Sequence, residues 1–178
     1  ALALQYDSQR GSGNGMLGKG WSLTGLSQIS RCQKTIANDG YVEPIRFDGS
    51  DPFCLDGERL ILIAGVHGTD NAEYRTERNS FSKIVVHAPD AKGPTSFTAY
   101  LKDGRILTYG RNGIDQTSTL ETKRVASVAP APNGSIFVDP NVVTQTESVR
   151  AVWAIGLLED RPGNQIRFLY LQPTAPPT

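Results

Sequence analysis

The stretch Ser96-Phe97-Thr98-Ala99-Tyr100-Leu101-Lys102-Asp103-Gly104-Arg105-Ile106-Leu107-Thr108-Tyr109-Gly110 alternates apolar and polar residues on both sides of an Asp-Gly pair. Strict alternation puts successive side chains on opposite faces of a strand, and Asp-Gly tolerates the positive φ that a tight turn demands. The stretch therefore predicts a β-hairpin, with Phe97, Ala99 and Leu101 on one face. A second hairpin is predicted from Val152 to Tyr170. There Trp153, Ile155 and Leu157 share a face, Asp160-Arg161-Pro162-Gly163-Asn164 turns, and Ile166, Phe168 and Tyr170 alternate on the return.

The same punctuation recurs along the chain. Asp-Gly falls at Asp39-Gly40, Asp48-Gly49 and Asp56-Gly57, and Asn-Gly at Asn14-Gly15, Asn112-Gly113 and Asn133-Gly134. Further strands are expected at 2–7, 26–33, 42–47, 59–63, 72–76 and 81–88. The run Leu60-Ile61-Leu62-Ile63 and the pair Val85-Val86 are apolar on both faces, the pattern of a sheet covered twice. With 18 Gly and 11 Pro spread from end to end, long helices have little room. The expected fold is all-β: a meander of antiparallel hairpins forming a twisted sheet, partial shell or sandwich, with little helix. Residues 1–172 read as one domain. A Thr/Ser/Pro-rich excursion over 111–149 carries one or two short strands such as 135–138, and 173–178 is a Pro-rich tail or linker.

Composition excludes several classes. Hydrophobic residues are 38% and charged residues 20% of 178, the balance of a globular chain with a buried core. Lys+Arg and Asp+Glu both number 18, so the basic excess that a nucleic-acid or acidic-membrane surface needs is missing. No apolar run approaches the roughly 20 residues of a membrane-spanning helix. The first residues, Ala1 to Tyr6, show no charged leader or cleavage pattern and open on an alternation, as a fragment beginning inside a strand would. Cys32 and Cys54 are too few for a four-ligand zinc site. They form one bridge in an oxidising compartment, or stay as two buried thiols.

Gly13-Asn14-Gly15-Met16-Leu17-Gly18 fits the G-x-G-x-x-G spacing, yet Lys19-Gly20-Trp21-Ser22 after it is a poor first turn of the helix that a dinucleotide site requires. Gly13, Gly15, Gly18 and Gly20 are read instead as the backbone of a close-packed loop around Trp21. Nucleophilic catalysis lacks a partner set: only His67 and His87 exist, both placed on exposed turns or strand ends, and no G-x-S-x-G elbow occurs. Asp48, Asp51, Asp56 and Glu58 are the densest acidic cluster and weak calcium candidates, although their spacing is not that of an EF-hand and Asp before Gly is foremost a turn-former. Asn133-Gly134-Ser135 matches a glycosylation sequon by chance. No catalytic residue, cofactor or metal ligand is assigned. Trp21, Trp153, Phe168 and Tyr170 are the expected packing anchors.

Three stretches carry a resemblance. Ser12-Gly13-Asn14-Gly15-Met16-Leu17-Gly18-Lys19-Gly20-Trp21-Ser22-Leu23, continuing to Ile29-Ser30-Arg31, resembles the glycine-rich opening of the SpvB-type amino-terminal domain. Phe47 to Leu60, with Cys54-Leu55-Asp56-Gly57-Glu58-Arg59-Leu60, is similar to its next block, and Val152-Trp153-Ala154-Ile155 with Asp160-Arg161-Pro162-Gly163-Asn164 to a later hairpin. The order matches over 1–110 and 150–170, while 111–149 is longer than in the family. The resemblance implies a secreted or cell-surface bacterial protein of the Tc-toxin B or Rhs/YD-repeat kind. It also implies a non-catalytic scaffold or shell role in enclosing or delivering a separate C-terminal effector. Its partners would be the remainder of its own polypeptide and other toxin-complex subunits, with no nucleic acid and no membrane insertion by this segment. The alternative expectation is a surface adhesin or carbohydrate-binding module, which would display a row of exposed aromatic rings.

Overall fold

The computed structural model describes residues 3–6, 21–24, 26–78, 82–114, 117–127 and 145–170. Two short strands, β1 (Ala3–Tyr6) and β2 (Trp21–Thr24), pair antiparallel as a sheet of their own. The remaining strands form one sheet. They are β3 (Gln28–Arg31), β4 (Phe53–Leu55), β5 (Glu58–Ala64), β6 (Glu73–Thr76), β7 (Lys83–His87), β8 (Ser96–Tyr100), β9 (Ile106–Tyr109), β10 (Thr119–Ser127), β11 (Gln145–Glu159) and β12 (Gln165–Arg167). The helix among the described residues, α1 (Ile36–Asp39), is a single turn ended by Gly40 in the left-handed region.

β3 to β9 run as an antiparallel meander, each strand paired with the next. The sheet then closes on itself. β11 pairs with β3 on one side, Trp153 opposite Ile29, and with β9 on the other, Ile155 opposite Tyr109. The result is an eight-stranded antiparallel barrel. An interior of this size is just wide enough for side chains to fill. Trp153, Phe53, Phe97, Tyr74, Tyr109, Ile29, Ile84 and Val86 fill it, each almost fully buried. Phe97 and Trp153 meet edge to face at 5.0 Å, and Phe53 lies at 5.6 Å from Trp153 in the same manner, the geometry that aromatic quadrupoles favour.

β11 is longer than the ring needs, and both ends leave it. Its first half pairs with β10, with an Arg124–Glu147 ion pair at 2.9 Å across the ribbon. Its end pairs with β12. The stretch 111–149 thus holds the nine-residue β10 and the first residues of β11 where short strands are expected from sequence. Residues 135–138 lie outside the described residues.

Several local expectations change for physical reasons. Asp56-Gly57 makes the two-residue β4–β5 turn with φ of 52° and 86°, and Asp103-Gly104 turns β8 into β9. Asp39-Gly40 instead caps α1, where Gly supplies the left-handed exit. The expected strand at 42–47 is a loop with one bridge, Lys34 to Glu43. On β11, Trp153 and Ile155 face the core, but the interior residue beyond them is Leu158 rather than Leu157. A bulge sets two residues of β11 against one step of β9, and one extra residue flips the faces that follow. Leu60 is buried, whereas Ile61, Leu62 and Ile63 are exposed, so the run is not covered twice.

The bulge also explains Gly156. A Cβ there would collide with the Arg111 backbone and lie 2.9 Å from the Asn112 nitrogen. Gly156→Ala should therefore destabilise the barrel by roughly 1–3 kcal/mol, a cost of forcing atoms into a filled space. Urea unfolding of the variant checks this; a midpoint equal to the parent's would refute the close approach.

Candidate functional site

The acidic cluster is dispersed by the fold. Asp56 accepts the Ser27 hydroxyl at 2.6 Å and the Gln28 N–H at 2.8 Å, bracing β3 against the β4–β5 turn. Glu58 accepts the Arg78 N–H at 2.7 Å. Asp48 accepts both the hydroxyl and the N–H of Ser50, which hold its carboxyl below the usual carboxylate range. Asp51 is buried and accepts the Arg46 N–H. These four do not converge on one point, and no group of three or more His, Cys, Asp or Glu able to hold a metal ion occurs among the described residues.

What the fold does bring together is a polar cap on the aromatic core. Arg31, at the end of β3, is buried with its guanidinium carbon 5.8 Å from the centres of both the Phe53 and Trp153 rings. Its Nε donates to the Arg150 carbonyl at 2.8 Å, and Nη1 to the Asp48 carbonyl at 2.7 Å, with Asp51 Oδ2 at 3.5 Å. Arg150 in turn grips Asp90 through two bonds of 2.6 and 2.8 Å. Loops 46–52 and 90–93 are thereby fastened across the barrel end.

His67 completes this cap, which corrects its reading as an exposed loop residue. Its ring stacks on Phe53 at 4.8 Å. Nε2 faces the Asp51 carbonyl at 2.9 Å, an acceptor only, so Nε2 carries the proton. Nδ1 lies 3.0 Å from the Tyr74 hydroxyl, which already accepts the Gly68 N–H at 2.8 Å and donates onward to Nδ1. The neutral ring satisfies every member of this chain. Burial lowers the His67 pKa below 6.5, and the positive charges of Arg31 and Arg59 add to that, against the opposing bond to Asp51. A base whose folded pKa is depressed stabilises the fold fully above the unfolded value and loses that contribution as pH falls through the folded pKa. Thermal midpoints should therefore decline as pH drops below about 6.5, above the range where the carboxylates protonate. A His67→Gln variant should flatten the decline, and an unaltered slope in that variant would refute the assignment.

The cysteines are joined: Cys32 and Cys54 form a disulfide across the β3–β4 edge. Closing a loop of 22 residues contributes on the order of 3 kcal/mol on the chain-entropy model. Beside it opens a shallow polar groove lined by Thr35, Asn38, Arg59, Glu77 and Arg78. Within it, Arg59 is bonded to Asp39 at 2.7 Å.

Of the expected anchors, Trp153 is central to the core and donates its indole N–H to the Pro94 carbonyl at 2.8 Å. Phe168 packs against the core from β12's side, and Tyr170 donates its hydroxyl to the Ile155 carbonyl at 2.8 Å. Trp21 differs. It is 46% exposed and its ring partner is Tyr6 at 5.2 Å, because β1 and β2 form a two-stranded sheet outside the barrel ring. Gly13, Gly15, Gly18 and Gly20 lie outside the described residues. The signals that sequence reading missed are Arg31 and His67, isolated polar residues whose partners lie 7 to 119 positions away.

The geometry defines a closed antiparallel barrel with a filled interior, whose buried polar groups are committed to holding loops. No family model matches the chain, and no curated protein matches it. Among solved structures it is similar to a chain in the crystal structure of TcdB2-TccC3, with a TM-score of 0.48 and 21% identity over 94% of this chain. The chain spans 7% of the length of that neighbour.

Proposed function

We propose that this barrel is a structural, non-catalytic scaffold module of a large secreted bacterial protein of the Rhs/Tc-toxin kind, helping to enclose or deliver a separate C-terminal effector. The observation that carries the reading is the fate of the chemically capable side chains. Asp48, Asp51, Asp56, Glu58 and His67 each hold a loop or turn in place, and the barrel interior is packed with rings. The glycine-rich block before Trp21 and the Trp153 hairpin support the family context. The arms that β10 and β12 build on β11 support a partner within the same polypeptide, because among the described residues no further strand pairs with their outer edges, and such edges offer backbone to further strands. The balanced charge supports a role without nucleic acid.

The test is limited proteolysis of the parent protein with and without this segment. Removal should expose the C-terminal effector to cleavage; an effector equally protected in both would overturn the reading. The exposed Tyr6–Trp21 pair favours a second reading, a carbohydrate-binding surface, since adjacent rings can stack on sugars. Glycan-array binding that is lost in Trp21→Ala would favour it over the scaffold.

A further inference from the structure

We propose that the Cys32–Cys54 disulfide is a redox latch on the barrel wall, which a small dithiol opens from the groove beside it so that the ring parts at β4. This inference does not rest on the scaffold reading. β4 is three residues long, the shortest strand of the ring. Three residue pairs join it to β3, two join it to β5, and its apolar anchor is Phe53. The segment 33–50 leading into it adds little apolar hold, since Ile36, Tyr41 and Val42 are all more than half exposed. What fastens that segment to the wall is polar: Arg59 on β5 bonds Asp39, and Arg31 on β3 bonds the Asp48 carbonyl. The disulfide is the covalent tie across this seam, fixing Cys54 of β4 to Cys32 just past β3.

The bond is placed for attack as well as for holding. Cys32 and Cys54 both line the open groove, whose volume is about 470 Å³. Cys32 is half-buried and Cys54 buried, so the Cys32 sulfur takes the attack. A thiolate of the dithiol bonds to it as the S–S bond breaks, and the electron pair leaves on Cys54. The second thiol gives up its proton, displaces Cys32 and closes the reductant into a cyclic disulfide. Two electrons and two protons pass to the protein, which ends with two thiols. While the bond is intact, departure of β4 from β3 leaves the 22-residue loop closed; once it is cut, the freedom of that loop favours the open state. Opening there withdraws Phe53 from Trp153 and Phe97, and takes the Asp51 carbonyl away from His67.

The full oxidised chain can be treated with millimolar dithiothreitol in the absence of denaturant, with thiols counted by alkylation and amide exchange followed by mass spectrometry. The expected result is reduction of the folded chain at a rate proportional to dithiothreitol. Amides of 29–32 and 53–56 should then exchange roughly ten- to hundredfold faster, the range that freeing a loop of this length allows, while those of β7, β8 and β9 keep their protection. Reoxidation should restore the slow exchange. The double variant Cys32→Ser, Cys54→Ser should show the fast pattern with no response to dithiothreitol; if it does not fold, the reduced parent chain supplies the same reading. A bond that yields only when urea unfolds the chain, exchange unchanged by reduction, or faster exchange spread evenly over all strands would each overturn the proposal.

Discussion

Trp153→Ala should lower the unfolding free energy by roughly 3–5 kcal/mol, the range for deleting a large buried aromatic ring. The ring is fully buried and meets Phe53 and Phe97 edge to face, so its removal leaves a cavity bordered by two rings fixed by their own strands. The variant also strips the Pro94 carbonyl of its donor, adding the cost of an unsatisfied buried acceptor. Its position on β11 is the reason the effect spreads. Trp153 pairs with Ile29 and sits one residue from the carbonyl that binds Gly110, where both closing seams meet. Against a typical domain stability of about 5–15 kcal/mol, such a loss removes a large share. Urea denaturation followed by circular dichroism measures it. A loss under 1 kcal/mol would mean that the ring is not the centre of the core. Trp153→Phe, which refills part of the space, should cost clearly less.

Replacing Arg31 with Met is expected to have a comparable effect for a different reason. The guanidinium is buried and supports the carbonyls of Arg150 and Asp48 as well as the Asp51 carboxylate. Its removal leaves the buried Asp51 carboxylate without its ion-pair partner. Breaking one side of such a pair typically costs about 3–5 kcal/mol. The mechanism makes a second, sharper prediction. Asp51→Asn in the Arg31→Met background removes the stranded charge while keeping an oxygen for the Arg46 N–H, and should restore on the order of 1–2 kcal/mol. If the double variant is no more stable than Arg31→Met, then packing rather than charge explains the loss.

The β-architecture was legible in the sequence because hairpins are local. Phe97, Ala99 and Leu101 alternate within one strand and its turn, and the structure keeps that register, with Phe97 opposite Tyr109, Ala99 opposite Leu107 and the Leu101 N–H on the Arg105 carbonyl. Ring closure was not legible, since nothing local to Trp153 reports that Ile29 will lie opposite. The Leu157-to-Leu158 switch was missed because a bulge is set by the approach of the Arg111 backbone to Gly156, a contact from another segment. The polar cap was illegible for the same reason. Arg31 bonds a carbonyl 119 positions away, and His67 reads as a turn residue until Tyr74, Phe53 and Asp51 surround it. Trp21 shows the converse: the glycine-rich stretch reads as a close-packed loop around the ring, whereas among the described residues the ring is 46% exposed and meets Tyr6 on a two-stranded sheet.

Closure by β11 has a consequence for how the chain reaches its fold. Strands β3 to β9 span residues 28–109, yet both of their outer edges wait for a strand that begins at Gln145. During synthesis the meander must persist as an open sheet, its aromatic face wet, until the closing segment emerges. The decisive contacts are far apart in sequence, a topology that slows folding and lengthens exposure to wrong partners. Every polypeptide stopped short of β11 is therefore a sheet with two sticky margins, and assembly of this module is governed by the arrival time of a single late strand.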